Sequence, residues 1–143
     1  MSAIRRIRHY IAATGSAINS ASPTGLFLKD LDPHRIDAYK PRMLSGRDYE
    51  FASVDVGFNL RPISDNAVVL QSLYSADTGN GDGTKALSII CEVADRNRVT
   101  IHIDVQPFSH KGAASMPKEK LKQWYSKFGF YPTGPLEMQR DPR

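Results

Sequence analysis

Apolar and polar positions alternate most clearly in the middle of the chain. Val54, Val56, Phe58 and Leu60 alternate with Asp55, Gly57 and Asn59, the two-residue period of a half-buried strand. The segment Arg61 to Asn66 carries turn chemistry, and Ala67 to Tyr74 is a second apolar run, so the two predict an antiparallel hairpin. Leu87, Ile90, Cys91 and Ala94 then recur at helical spacing, with Lys85, Ser88, Glu92 and Asp95 on the other face, so a helix is predicted to about Arg96 with Cys91 in the core. Val99, Ile101, Ile103 and Val105 alternate with Thr100, His102 and Asp104 and predict a third strand, ended by Pro107. A second helix is predicted from Met116-Pro117, with Pro117 in its first turn, Leu121, Trp124, Tyr125 and Phe128 as its apolar stripe and Gly129 as its stop. Phe130 to Met138 reads as one last strand.

Up to Gly46 the pattern is weak. It offers a basic amphipathic helix with Ile4, Ile7 and Ile11 on one face, a Gly/Ser/Asn/Pro-rich connector from Gly15 to Gly25, and the short apolar run Leu26-Phe27-Leu28. A helix after Asp32-Pro33, interrupted by Pro41, is also indicated. Strand, glycine-rich turn, helix and strand in succession make a βαβ unit with parallel strands, so the class is α/β or α+β with a mixed sheet.

Composition narrows the class further. At 143 residues, with 41% hydrophobic and 24% charged residues, the chain suits one ordinary folded domain. Residues 1–47 form its basic, irregular N-terminal segment and residues 48–143 its core. The single cysteine excludes an internal disulfide or a Cys-based metal knuckle and suits a reducing, cytoplasmic setting. The formal net charge of +4 comes from Arg5, Arg6, Arg8 and Lys29, because no acidic residue precedes Asp30 and 15 basic and 15 acidic residues follow Lys29. The charge excess therefore marks one end of the chain, not a whole basic surface. No run approaches the roughly 18 apolar residues of a membrane span. The Arg- and Ser-rich start fits a transit peptide in composition and, equally, a plain amphipathic helix.

Gly79, Gly81 and Gly83 stand between a strand and a helix, where backbone must approach something closely or take positive φ. The helix N-terminus beside them offers unpaired N–H groups and the positive end of the dipole, an anion site for which phosphate or pyrophosphate is the natural guest. Spacing rules out a P-loop, matches a dinucleotide fingerprint poorly although Asp104 lies about 20 residues on, and does not support a calcium loop. Gly83-Thr84-Lys85 puts the lysine one place too late for a nucleotide P-loop. Thr84 stands where a dinucleotide fingerprint needs its third glycine, and Gly79, Gly81 and Ser88 cannot supply calcium ligands in an EF-hand loop. A plain glycine-rich surface turn also fits these residues taken alone.

The stretch Leu121-Lys122-Gln123-Trp124-Tyr125-Ser126-Lys127-Phe128-Gly129-Phe130 resembles the helix-to-strand junction of GNAT-type N-acetyltransferases, written L-x-x-x-Y-x-K-x-G-F. Thr78-Gly79-Asn80-Gly81-Asp82-Gly83 occupies the place of that family's Arg/Gln-x-x-Gly-x-Gly/Ala loop, in the same order and one helix and one strand away. The resemblance covers roughly residues 48–143. It implies a mixed, mostly antiparallel central sheet with flanking helices, acetyl-coenzyme A as cosubstrate, and transfer of its acetyl group to a primary amine. The implied coenzyme site is the backbone around Leu73, Tyr74 and Ser75 for the pantetheine arm and Thr78, Gly79, Asn80, Gly81, Asp82, Gly83 and Thr84 for the pyrophosphate. Tyr125 matches the family tyrosine that protonates the departing thiolate. Two departures weaken the implied grip: Thr78 replaces the family's Arg or Gln, and Asp82 sets a negative charge beside the phosphates unless Lys85 compensates.

No general base is singled out; Tyr74, His102 and Asp104 are the candidates. No metal site is indicated, since His102 and Asp104 lack further ligands. The implied acceptor is a small-molecule amine, a protein lysine or a protein N-terminus, and a homodimer is compatible with the resemblance. The competing reading is a non-catalytic module on the same fold, whose basic N-terminus contacts nucleic acid or an acidic protein. Coenzyme affinity separates the two, as does salt-dependent binding to nucleic acid.

Overall fold

The structure, a computed structural model, describes residues 19–36, 47–54, 56–75, 81–105 and 117–143. The elements are α1 (Pro23–Leu31), a 3-10 turn (Asp32–His34), β1 (Arg47–Phe51), β2 (Val56–Ser64), β3 (Ala67–Ser75) and α2 (Asp82–Asn97). They are followed by β4 (Thr100–Asp104), α3 (Lys118–Ser126), β5 (Tyr131–Gly134) and β6 (Glu137–Arg140). The strands form one six-stranded sheet in the order β1-β2-β3-β4-β6-β5. Only β3 and β4 are parallel; every other neighbouring pair is antiparallel. The fold is thus mixed α+β, with a mostly antiparallel sheet and flanking helices.

The hairpin, the βαβ unit and the helix after the glycine turn agree with the sequence pattern, and their boundaries follow local chemistry. Val54 lies in a turn, its N–H donating to the Phe51 carbonyl at 3.1 Å, and β2 instead runs on through Pro62 to Ser64. A register irregularity between Pro62 and Ser64 accommodates the proline, which lacks an N–H for the ladder, and leaves Asp65-Asn66 as the whole turn. Pro117 caps α3 from outside rather than opening its first turn, and Gly129, at φ 94°, stops the helix as expected.

Three elements depart from the pattern. The stretch read as a connector up to Gly25 opens α1 instead: Ser22 is its N-cap, Ser22 Oγ accepts from the Gly25 N–H at 3.0 Å, and Pro23 takes the first turn. Glycine is required at position 25 because a Cβ there would collide with the Asn19 carbonyl oxygen. β1 is short and edge-placed, and only Tyr49 and Phe51 give it an inward side. The tail is a hairpin, not one strand, because Gly134-Pro135 interrupts it and β6 folds back on β5. The basic helix expected over the first residues lies outside the described residues.

The main core fills one side of the sheet. Tyr49, Phe51, Val56, Phe58, Leu60, Val68, Leu70, Ile101, Ile103 and Met138 contribute from the strands. Phe27, Leu28 and Leu31 of α1 join Leu87, Ile90, Cys91 and Ala94 of α2 over them, so part of the N-terminal segment packs into the same core. Leu121, Trp124, Tyr125 and Phe128 of α3 pack against this cluster as well. The alternate positions Ile63, Ala67 and Val69 form a small second cluster on the opposite side.

Candidate functional site

β3 and β4 pair in parallel only from Ala67↔Thr100 to Leu70↔Ile103. Beyond that point β3 continues for five residues while still paired to β2, through Ser72↔Asn59, Leu73↔Phe58, Tyr74↔Gly57 and Ser75↔Val56. Its other edge, from Gln71 to Ser75, therefore has no strand partner among the described residues. On the β2 side the register slips between Asn59/Leu60 and Leu70/Ser72, leaving Gln71 as the extra residue of a bulge. A bulge bends and twists its strand, and this one sits where the parallel pairing ends. Among the described residues, that edge of β3 therefore offers backbone hydrogen-bonding groups with no strand partner.

The stretch after this free edge leads to the start of α2. Gly81 is the N-cap, with φ 75° and ψ 10°, a left-handed conformation that glycine adopts without steric cost. Among the described residues nothing lies within 4 Å of where its Cβ would stand. Among the described residues no side chain caps the helix, and the amides of Asp82, Gly83 and Thr84 form the positive end of this 16-residue helix.

α3 meets the same end of α2. The Trp124 indole N–H donates to Thr84 Oγ1 at 3.1 Å, and the Trp124 ring lies 3.7 Å from a notional Cβ at Gly83. Tyr125 is held between Trp124 and Phe130, with ring centroids at 4.9 and 5.4 Å. Burial pushes its phenol up to about 12, so the hydroxyl keeps its proton across the physiological range and can donate it. The glycine turn and the aromatic helix, 40 residues apart at Thr84 and Trp124, are thus brought together.

Of the residues singled out from sequence, Gly81, Asp82, Gly83 and Thr84 form the helix start, and Leu73 packs against the core from the free-edged part of β3. Tyr74 and Ser75 lie at the end of that strand. Thr78, Gly79 and Asn80 lie outside the described residues. Lys85 is exposed on the first turn of α2. His102 and Asp104 share one side of β4, opposite Gln139 and Glu137 of β6 respectively. The features sequence reasoning missed are the bulge at Gln71, the Trp124–Thr84 bond and Glu137, which is buried at 7% exposure. Only Glu137 left a sequence signal, as an acid in an otherwise apolar tail.

No family model matches the chain, and no curated protein does. Among solved structures the chain is similar to the crystal structure of the anti-CRISPR protein AcrVA5, with a TM-score of 0.53 and 15% identity, over 67% of this chain and 98% of that one. At that identity the likeness is one of fold. No helix among the described residues is long and apolar enough to cross a membrane.

Proposed function

We propose that this chain is a GNAT-type N-acetyltransferase, which moves the acetyl group of acetyl-coenzyme A to a primary amine. The observation that carries the reading is that, among the described residues, the edge of β3 from Gln71 to Ser75 has no strand partner beyond Leu70↔Ile103 and the start of α2 has no side-chain cap. An extended amide-bearing arm can pair with the free edge of β3 from Gln71 to Ser75, as an added strand does. A pyrophosphate at its far end meets the amides of Asp82, Gly83 and Thr84. The residues present fit the group: among the described residues the helix-start amides have no side-chain cap and nothing lies within 4 Å of a Cβ at Gly81. Thr78 to Asn80 are assigned to the same cradle from their sequence position.

Acetyl-coenzyme A, consumed as a substrate, supplies an activated thioester. The chain's own residues supply the rest. A backbone N–H on the free edge of β3 polarises the carbonyl oxygen as negative charge develops on it. Tyr125 presents a proton to the departing sulfur. Full transfer to a thiolate of ordinary basicity, about 8.5, is uphill by about three pH units from a phenol at about 12. Tyr125 therefore acts first as a hydrogen-bond donor that stabilises the developing thiolate, and gives up its proton as water re-enters.

The test is release of free coenzyme A thiol with a panel of primary amines. Turnover is expected with at least one amine, together with loss of about ten- to a hundredfold in kcat and no change in coenzyme affinity for Tyr125→Phe. A Tyr125→Phe protein with unchanged kcat would remove Tyr125 from the reaction.

A further inference from the structure

The second side of the sheet is buried although no described helix stands over it. Ile63, Ala67 and Val69 are 3%, 8% and 0% exposed, and on the same side His102 and Glu137 are each 7% exposed. α1, α2 and α3 all pack against the main cluster, and none contributes to the second. A sheet face left to water exposes the side chains of its middle strands. Val69 of β3, flanked by Arg61 of β2 and His102 of β4, therefore has a cover, and the cover comes from outside the described residues.

The start of α1 shows which segment is within reach. The Thr24 N–H donates to the Asp65 carbonyl at 2.8 Å, and Thr24 Oγ1 donates to the Ala67 carbonyl at 3.5 Å. The Asp65-Asn66 turn joins the strand ends that carry Ile63 and Ala67, so residues 1–18 arrive beside the second cluster. Residues 106–116 instead leave the opposite end of β4, because Thr100 pairs with Ala67 and Val105 lies about 17 Å further along the strand. Residues 37–46 are tied at both ends to the sheet edge, where the Ile36 N–H donates to the Asp48 carbonyl at 2.9 Å and Arg47 opens β1. Residues 76–80 only join β3 to the start of α2.

Charge points the same way. By alternation and register the second side presents Asp48 and Glu50 of β1, Asp104 of β4, Glu137 of β6 and Asp141, which accepts from Gln139 Nε2. Among the described residues of the strands, the guanidinium on that side is Arg61. Arg61, Asp104 and Glu137 each have an interaction partner of their own, so what counts is the net sign of the surface, which is negative. Residues 1–18 hold Arg5, Arg6 and Arg8 and no acid, with Ile4, Ile7 and Ile11 at helical spacing. Residues 12–18, fully extended, reach about 24 Å, enough to bring Ile11 onto the cluster.

We infer that residues 1–18 cover this second side as an amphipathic helix, Ile4, Ile7 and Ile11 resting on Ile63, Ala67 and Val69 and the arginines held by the negative surface around them. The sheet then has a helical layer on both sides. The basic segment is a packed layer of the domain rather than a free arm for nucleic acid. The inference does not depend on acyl transfer.

The test uses the full chain with isoleucine and valine methyl groups labelled for NMR. An NOE is expected between Val69 and the isoleucine methyl resonance that disappears in Ile7→Val. Ile7→Asp should lower Tm by at least about 5 °C, because it sets a charge among buried apolar groups. Ser2→Asp, on the opposite face of the helix, adds the same charge and should move Tm by less than about 1 °C. Trypsin should spare the bond after Arg8 while the protein stays folded. Val69 NOEs to another segment or to a second copy of the chain would overturn the inference. So would an Ile7→Asp protein as stable as the wild type, or rapid loss of residues 1–8 to trypsin from protein that keeps its Tm. Salt-dependent binding of a DNA duplex that disappears when Arg5, Arg6 and Arg8 are changed to Ala would mark a free arm and overturn it too. Should Ile7→Asp fail to fold, the wild-type NOE and the trypsin cut still decide.

Discussion

Asp95 is the place where a single change should cost the fold most for the smallest alteration in shape. Its carboxylate takes both arms of the Arg140 guanidinium, at 2.7 and 2.9 Å, and its Oδ1 also accepts the Arg143 backbone N–H at 2.9 Å. The Arg140 side chain is 4% exposed and that of Asp95 27%, so the ion pair is largely withdrawn from water. Arg140 Nε donates in addition to the Phe128 carbonyl at 2.6 Å, which ties α2, β6 and the end of α3 at one point. Asp95→Asn keeps the shape but leaves a buried guanidinium without its counter-charge. Breaking such a pair from one side costs about 3–5 kcal/mol, and the partial exposure of Asp95 favours the lower end, about 3 kcal/mol. For a chain of this size that lowers Tm by about 10 °C.

The pH dependence has a definite sign. Burial works to raise the Asp95 carboxyl, but the Arg140 hydrogen bonds, the Arg143 N–H and both guanidinium charges outweigh it and hold it below the usual carboxylate range. A depressed folded-state value gives stability that is present above the unfolded value, near 4, and lost as pH falls through the folded one. Urea unfolding of the wild type and Asp95→Asn from pH 7 down to pH 2.5 should therefore show the two curves separated at neutral pH and converging in acid. A difference below about 1 kcal/mol at pH 7, or one independent of pH, would refute this account of the pair.

Other outcomes follow from the same structure. Gly83→Ala places a methyl at ordinary contact distance from Trp124, so it should stabilise the helix start by about 0.5 kcal/mol in thermal unfolding while lowering acetyl-coenzyme A affinity, because the methyl stands at the proposed cradle. Equal or better coenzyme affinity would take Gly83 out of that cradle. Gly81→Ala gains no clash but forces a left-handed alanine, and should lose about 1 kcal/mol in the same measurement. Burial pushes the Cys91 thiol up to about 11, so at pH 8 about one in a thousand molecules carries the thiolate. A disulfide reagent should therefore label Cys91 only at the rate of unfolding, and rapid labelling of the native protein would contradict its place in the core.

Where periodicity was strong, sequence and structure agree: the alternation in β2 and β4 and the stripe Leu87, Ile90, Cys91, Ala94 all mark inward faces. α1 escaped because its opening, Ser22-Pro23-Thr24-Gly25, has loop composition, while the cap at Ser22 and the close approach at Gly25 are settled by contacts within the folded turn. β1 escaped because two inward residues, Tyr49 and Phe51, are too few to establish a period. At the candidate site the glycines of the helix start and the aromatic helix were legible as local motifs. Their meeting through Thr84 and Trp124 was not, and neither was the bulge at Gln71, since both depend on how distant parts of the chain end up as neighbours.

On the proposed reading, the partnerless edge of β3 and the start of α2 together hold acetyl-coenzyme A. Calorimetric titration of the full chain with acetyl-coenzyme A at moderate salt tests it most directly, with coenzyme A lacking its pyrophosphate-bearing half as the control. The account predicts saturable one-to-one binding, far tighter than millimolar, that collapses for the truncated control. Absence of binding up to about 1 mM, where the free energy is only about −4 kcal/mol, would contradict it.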